Sequence, residues 1–182
     1  MTELYSVWAL APSEHPGLRP ATEHLQRIYG GPNVEPHVTV LGSVPFNSVE
    51  EGAAKLQDLA RSLKPITYRI RGVDQGRSYF QCLFLTVDPT PQVLEANAQA
   101  KRVFKVAESQ NAYFPHLSLL YGGLTDEDKK KGKALAEEKF GDILVNSEFV
   151  VSSLTLWTTD TEDKLLTSWK KVAEFPLQGG GS

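Results

Sequence analysis

Apolar and polar positions along this chain follow two periods. The segment "LYSVWAL" (residues 4–10) is apolar and rich in strand formers, which predicts a strand. A proline-rich loop follows, then a helix over residues 21–29. Residues 36–41 read as a second strand. Ser48 with Glu51 makes a capping-box pair, ahead of Ala53, Leu56, Leu59, Ala60 and Leu63 at helical spacing. Pro65 ends that helix. Residues 66–73 and 79–87 read as paired strands joined by a turn at 74–76.

The order then repeats. Thr90 and Pro91 form an N-cap and first-turn pair for a helix reaching about Ser109. Residues 115–121 read as a strand, and Thr125 caps a helix expected to end at Gly141. Residues 148–157 and 166–176 read as two strands around the loop "TTDTEDK". Each half therefore runs helix, strand, helix, strand, strand, the mark of a duplication. Strands without regular βαβ alternation predict an α+β fold with two pseudo-symmetric lobes. Each lobe is a mostly antiparallel sheet with helices on its outer face, and a central cleft lies between them. One domain over residues 1–177 is expected, with a flexible tail or linker at 178–182.

The repeat carries an unusual polar pattern. "PHVTVL" in the first half is matched by "PHLSLL" in the second. Side chains alternate across a strand, so His37 and Thr39 share one face while Val38 and Val40 share the other. His116 and Ser118 stand likewise opposite Leu117 and Leu119. If the polar faces of the two strands meet, one cleft holds two imidazoles and two hydroxyls. That set suits phosphodiester chemistry. A water attacking phosphorus needs a base and the leaving oxygen needs an acid, and imidazole serves either role near neutral pH. Hydroxyls can donate to the non-bridging phosphoryl oxygens. With two acid–base groups in place, neither a metal nor another cofactor is called for.

Composition narrows the partners. The net charge is −3, so no broad basic surface for long nucleic acid is expected. No run of about 18 apolar residues exists to span a membrane. The N-terminus lacks the basic start and apolar length of a secretory signal. One cysteine, Cys82, allows no internal disulfide, which fits a reducing cytoplasmic setting. A monomer acting on a small-molecule phosphodiester is the expectation.

The paired "HVT" and "HLS" resemble the double signature of the two-histidine phosphoesterase superfamily. "YSVWAL", "PHVTV", "FQCLFL", "PHLSLLYGGLT" and "TDTEDK" are similar to the plant-type cyclic phosphodiesterases, over nearly the whole chain. The resemblance implies two antiparallel lobes around a water-filled cleft, and a small-molecule cyclic nucleotide as the substrate. It implies opening of ADP-ribose 1″,2″-cyclic phosphate to the 1″-phosphate and of nucleoside 2′,3′-cyclic phosphates to 2′-phosphates, without metal, in a class tied to tRNA splicing. It makes His37 and His116 the catalytic pair, with His116 as base and His37 as acid by analogy, and Thr39 and Ser118 the phosphate-holding hydroxyls. The cysteines and disulfides of some plant relatives have no counterpart here.

Three aromatic residues are substrate-binding candidates: Tyr121 at the end of the second motif strand, Trp8 as a wall for a base or ribose, and Phe80 before "QCLF". His15 and His24 lack motif context and are expected at the surface. "DEDKKKGK" reads as ordinary dressing of a helix N-terminus, and Cys82 as an inert core residue. Two other readings stand beside the cyclic phosphodiesterase. One is an RNA-end enzyme of the same superfamily, a 2′–5′ ligase or trimming phosphodiesterase. The other is a nucleotide-binding module without turnover.

Overall fold

The computed structural model describes residues 2–107 and 112–178. The elements are β1 (Glu3–Leu10), α1 (Leu18–Tyr29), β2 (His37–Phe46), α2 (Val49–Ser62), β3 (Ile66–Ser78) and β4 (Gln81–Val87). They continue with α3 (Pro91–Phe104), β5 (His116–Leu120), α4 (Asp126–Leu144), β6 (Glu148–Val151), β7 (Ser153–Thr158) and β8 (Lys170–Pro176). The fold is α+β. The strands form one antiparallel sheet in the order β6-β3-β4-β5-β2-β1-β7-β8.

The two motif strands, β2 and β5, lie side by side at the centre and meet at Val38 and Leu117. About that seam the sheet is pseudo-symmetric: β1 answers β4, β7 answers β3, and β8 answers β6. The chain crosses between the halves. β3 and β4 precede the second motif in sequence yet pair on its side, while β7 and β8 return to flank β1.

The sheet is strongly curled. Residues 148–157, expected as one strand, are two strands separated by Ser152 alone. β6 sits at one edge of the sheet and β7 next to the other. One residue cannot span a flat eight-stranded sheet, since neighbouring strands lie about 4.8 Å apart. The sheet therefore bends until its two ends approach. The helices cover the convex side, where Val38, Val40, Leu117 and Leu119 are buried. Each such aliphatic side chain stabilises the fold by roughly 1.5–3 kcal/mol. The concave side is left for the polar residues.

Side-chain caps start three helices as expected. Ser48, Thr90 and Thr125 accept from the backbone N–H of Glu51, Val93 and Asp128. Other boundaries differ. The turn expected at 74–76 lies inside β3, and the chain reverses at Tyr79–Phe80. Gly76 serves a close approach instead of a turn: a Cβ there would stand 1.9 Å from the Gln81 carbonyl oxygen. α3 stops at Phe104 with Lys105 in the left-handed conformation. Ser109, where that helix was expected to end, lies outside the described residues, as does most of the expected tail. Gly141 is interior to α4, which runs one turn further before Asn146 takes a positive φ of 68°.

These two glycines should respond oppositely to alanine. Gly76→Ala forces a methyl into a backbone carbonyl and should cost about 2 kcal/mol or more. Gly141→Ala meets nothing within 4 Å and gains helix propensity, so about 0.5–1 kcal/mol of stabilisation is expected. Urea midpoints of the two variants check the pair. Stabilisation by Gly76→Ala would refute the close approach.

Candidate active site

The concave face gathers the motif residues into one cavity of about 180 Å³, lined by His37, Thr39, His116 and Ser118. Carrying the register at Val38 and Leu117 one residue each way sets His37 opposite Ser118, and Thr39 opposite His116. The four groups thus form a compact square across the central seam.

Both imidazoles are held alike. Nδ1 of His37 lies 2.6 Å from the Glu35 carbonyl oxygen, and Nδ1 of His116 lies 2.8 Å from that of Phe114. A carbonyl only accepts, so each Nδ1 carries the hydrogen and donates it. Each neutral ring then presents an unprotonated Nε2. The carbonyl comes from two residues earlier in both cases, because the Pro that precedes each histidine leads into its strand by the same path.

Their surroundings differ. His37 is 4 % exposed and stacks under Trp8, with ring centroids 3.4 Å apart and planes 8° from parallel. Trp157 stacks beside Trp8 at 4.5 Å. Strands β2 and β7 flank β1, so imidazole and Trp157 cover opposite faces of Trp8. His116 is more open, with Phe114 stacked beside it and Phe84 edge-on. Burial lowers the pKa of both histidines, and most at His37, which falls to about 3. The two carbonyl bonds oppose this shift without cancelling it. The free cleft is therefore electrically neutral at its centre.

The hydroxyls are in reach of the same space. Ser118 is buried and hydrogen-bonds the Tyr121 phenol, whose own pKa burial pushes up to about 12. The backbone carbonyl of Thr39 accepts from the Tyr113 hydroxyl at 2.6 Å, which pins the strand behind it. Of the expected aromatic residues, Phe80 and Tyr121 line the cavity with their rings 5.2 Å apart. Trp8 also lines it, but with both faces occupied it offers the cavity only an edge.

Sequence reading missed several lining groups. Trp169, on the loop between β7 and β8, stacks on Phe80 at 5.4 Å and closes over the cavity. The Tyr79 hydroxyl donates to the Lys164 carbonyl at 2.7 Å, so the β3–β4 hairpin and this loop clasp across the mouth. Asp163 anchors the loop through Ser168 and Thr167, which hold its carboxyl down to about pKa 2. Thr159 and Thr161, within the motif-like "TTDTEDK", reach the cavity as well. Ser6 joins them, bonded to Thr159 at 2.7 Å and accepting from the Ser43 N–H. Strand alternation from Trp8 could have found Ser6; nothing local pointed to Trp169.

The other singled-out residues lie elsewhere. His15 and His24 are half-buried, His15 against Ser147 and His24 edge-on to Phe140. Cys82 is a buried free thiol whose pKa burial raises. Among the described residues no helix is long and apolar enough to cross a membrane.

The chain is similar to known proteins over nearly its whole length. The sequence profile of the family described as "Cyclic phosphodiesterase-like protein" matches residues 4–178. A protein named "Cyclic phosphodiesterase" from Arabidopsis thaliana is 37% identical over 172 residues, covering 94% of this chain and 93% of its own. Among solved structures, E. coli LigT complexed with ATP superposes with a TM-score of 0.59 at 15% identity, covering 97% of this chain and 98% of LigT. The NADP+ complex of LigT gives 0.61 at 14% identity, with coverage of 97% and 99%. At that identity the LigT likeness concerns the fold.

The neutrality of His37 has a consequence for stability. Above about pH 6.5 its ring is neutral folded or unfolded, so it contributes no pH dependence. As pH falls below 6.5 the unfolded chain takes up a proton that the folded chain refuses until about pH 3. Stability should drop by on the order of 2 kcal/mol between pH 7 and pH 5 from this group alone. His37→Asn keeps a donor for the Glu35 carbonyl and removes the titration. Urea unfolding at both pH values should show a correspondingly smaller acid loss in the variant. An unchanged loss would mean that His37 is not held neutral.

Proposed function

The chain belongs to the cyclic phosphodiesterase-like family, the premise from which we propose that it hydrolyses cyclic phosphates of small nucleotides without a metal. The substrates are ADP-ribose 1″,2″-cyclic phosphate, opened to ADP-ribose 1″-phosphate, and nucleoside 2′,3′-cyclic phosphates, opened to 2′-phosphates. One observation carries the reading: two imidazoles with their Nδ1 atoms tied to carbonyls and both Nε2 atoms free share one cavity. Binding alone would not need two titratable rings so matched.

Hydrolysis then runs as follows. Water attacks phosphorus while Nε2 of His116, the more open ring, takes its proton. The P–O bond to one ribose oxygen breaks, and the Nε2 proton of His37 goes to that oxygen. Thr39 and Ser118 donate to the non-bridging oxygens as charge builds. Phe80 and Tyr121 supply ring faces for the sugar or base, and Trp8 an edge. His37 is neutral in the free cleft, so it takes up a proton from solvent as the substrate anion binds. A phosphodiester anion in the cavity favours the imidazolium, and so does the Trp8 face against it.

Assays on 2′,3′-cyclic AMP, ADP-ribose 1″,2″-cyclic phosphate and a short RNA ending in a cyclic phosphate test the proposal. Both small substrates should turn over in EDTA, and His37→Ala and His116→Ala should each lower kcat by roughly 10²–10⁴-fold. Rates lost in EDTA and restored by zinc or manganese would refute the metal-free chemistry. Turnover of the RNA alone would transfer the site to RNA-end processing.

The pH profile separates free from bound histidines. kcat/KM reports the free protein, where burial lowers both imidazoles, so its alkaline limb should lie below pH 6.5. kcat reports the complex, where the substrate anion holds the proton, so its alkaline limb should lie higher. Each limb belongs to the pair and not to one ring. Coincident limbs would deny that substrate charges the cleft.

A further inference from the structure

A second cavity, of about 220 Å³, lies on the other side of Trp8 and Trp169 from the catalytic one. Among the described residues those two alone line both. All three tryptophans of the chain border it, Trp157 being the third. Their rings are fixed in place. Trp157 Nε1 donates to the Thr155 hydroxyl at 2.9 Å, and that hydroxyl donates to the Trp8 carbonyl. Trp169 Nε1 donates to the Asp160 carbonyl at 2.8 Å.

The polar wall comes from α1 and the loop before β2. Arg19 is paired with Glu35 at 2.7 Å, so its charge is already answered. Glu23 adds a second carboxylate and Asn33 an amide. One guanidinium against two carboxylates disfavours a phosphate. Carboxylate and amide oxygens accept from ring amino groups and sugar hydroxyls, and of the indoles the half-buried Trp157 and Trp169 keep ring surface to pack on a flat ring. Neither cavity alone reaches the roughly 300–1,000 Å³ of an ordinary small-molecule site, whereas the two joined do.

We propose that the second cavity binds a neutral nucleoside at the far end of the substrate, so that a ribose cyclic phosphate joined through phosphate to a distal nucleoside spans both cavities. The inference rests on the catalytic reading above and extends it to substrate class. The shared chemistry is a nucleoside joined through phosphate to the reacting ring. A pyrophosphate link, as in ADP-ribose, and a 3′,5′ link, as at an RNA end, both supply it. The same wall supports the chemistry next door, since the Glu35 carbonyl holds His37 and Trp8 stacks on it. Occupants of the two cavities therefore press on one shared partition.

The test uses Glu23→Ala with Asn33→Ala, both exposed and outside the catalytic cavity. kcat/KM is measured for 2′,3′-cyclic AMP, ADP-ribose 1″,2″-cyclic phosphate and a diadenosine monophosphate ending in a 2′,3′-cyclic phosphate. Wild type should favour at least one of the two substrates with a distal nucleoside over cyclic AMP by about tenfold or more, and the double variant should lose most of that advantage. Its rate on cyclic AMP should stay within about twofold of wild type. The substrate whose advantage is lost identifies the link. Equal loss on all three substrates, or none, overturns the proposal. A second measurement does not depend on turnover: binding of plain ADP-ribose, followed by tryptophan fluorescence. Weakening by about tenfold in the double variant supports the site, and unchanged affinity refutes it even if no cyclic phosphate is hydrolysed.

Discussion

The active site depends on one thin seam, the antiparallel contact of β2 with β5 at Val38 and Leu117. That contact joins the two halves of the sheet and sets the spacing of the four motif side chains in the cavity. Its apolar pair is fully buried beneath the helices. Because strand side chains alternate, burying Val38 and Leu117 turns His37, Thr39, His116 and Ser118 to the concave side together. A slip of one residue would put the histidines into the core and the valines into the cleft. The hydrophobic face therefore enforces the chemistry on the other face, and the curl of the sheet gathers that chemistry into a cavity.

Much of this was legible because it is local or repeated. Alternation in "PHVTVL" and "PHLSLL" assigned faces, and three caps assigned helix starts. The repetition pointed to a pseudo-symmetric α+β fold. What escaped was long-range. β6 and β7 read as one strand because only Ser152 separates them, and nothing nearby says that they pair at opposite ends of the sheet. Gly76 read as a turn because glycine in sequence does not distinguish a turn from a close backbone approach. Trp169 entered the site through a stack with Phe80 from the other half of the sheet. The polar loop that carries it gave no sign of that contact.

A symmetric frame here holds an asymmetric pair. Both imidazoles donate to the carbonyl two residues before, so the frame gives them one tautomer and one orientation. The difference comes from what the neighbouring strands bring. β1 lays Trp8 over His37, with Trp157 behind it, whereas β4 turns only an edge of Phe84 to His116. The repeated strand frame thus accounts for two matched histidines, and the unlike flanking strands account for their difference in burial.

That difference bears on how a neutral cleft can deliver a proton. Burial alone would make His37 a poor acid, since it loses its proton near pH 3 in the free protein. Two features act against burial, the second of them only once the cavity is filled. An indole face lies against the ring, and its negative quadrupole attracts an imidazolium more than an imidazole. A phosphodiester anion adds a full charge at close range, in a site where water no longer screens it. An exposed histidine, with an ordinary pKa of about 6.5, would already be partly protonated near neutral pH whether or not substrate was present. On the mechanism proposed above, placing the acid in the more buried position couples protonation to occupancy, so that the charge develops where the phosphate is.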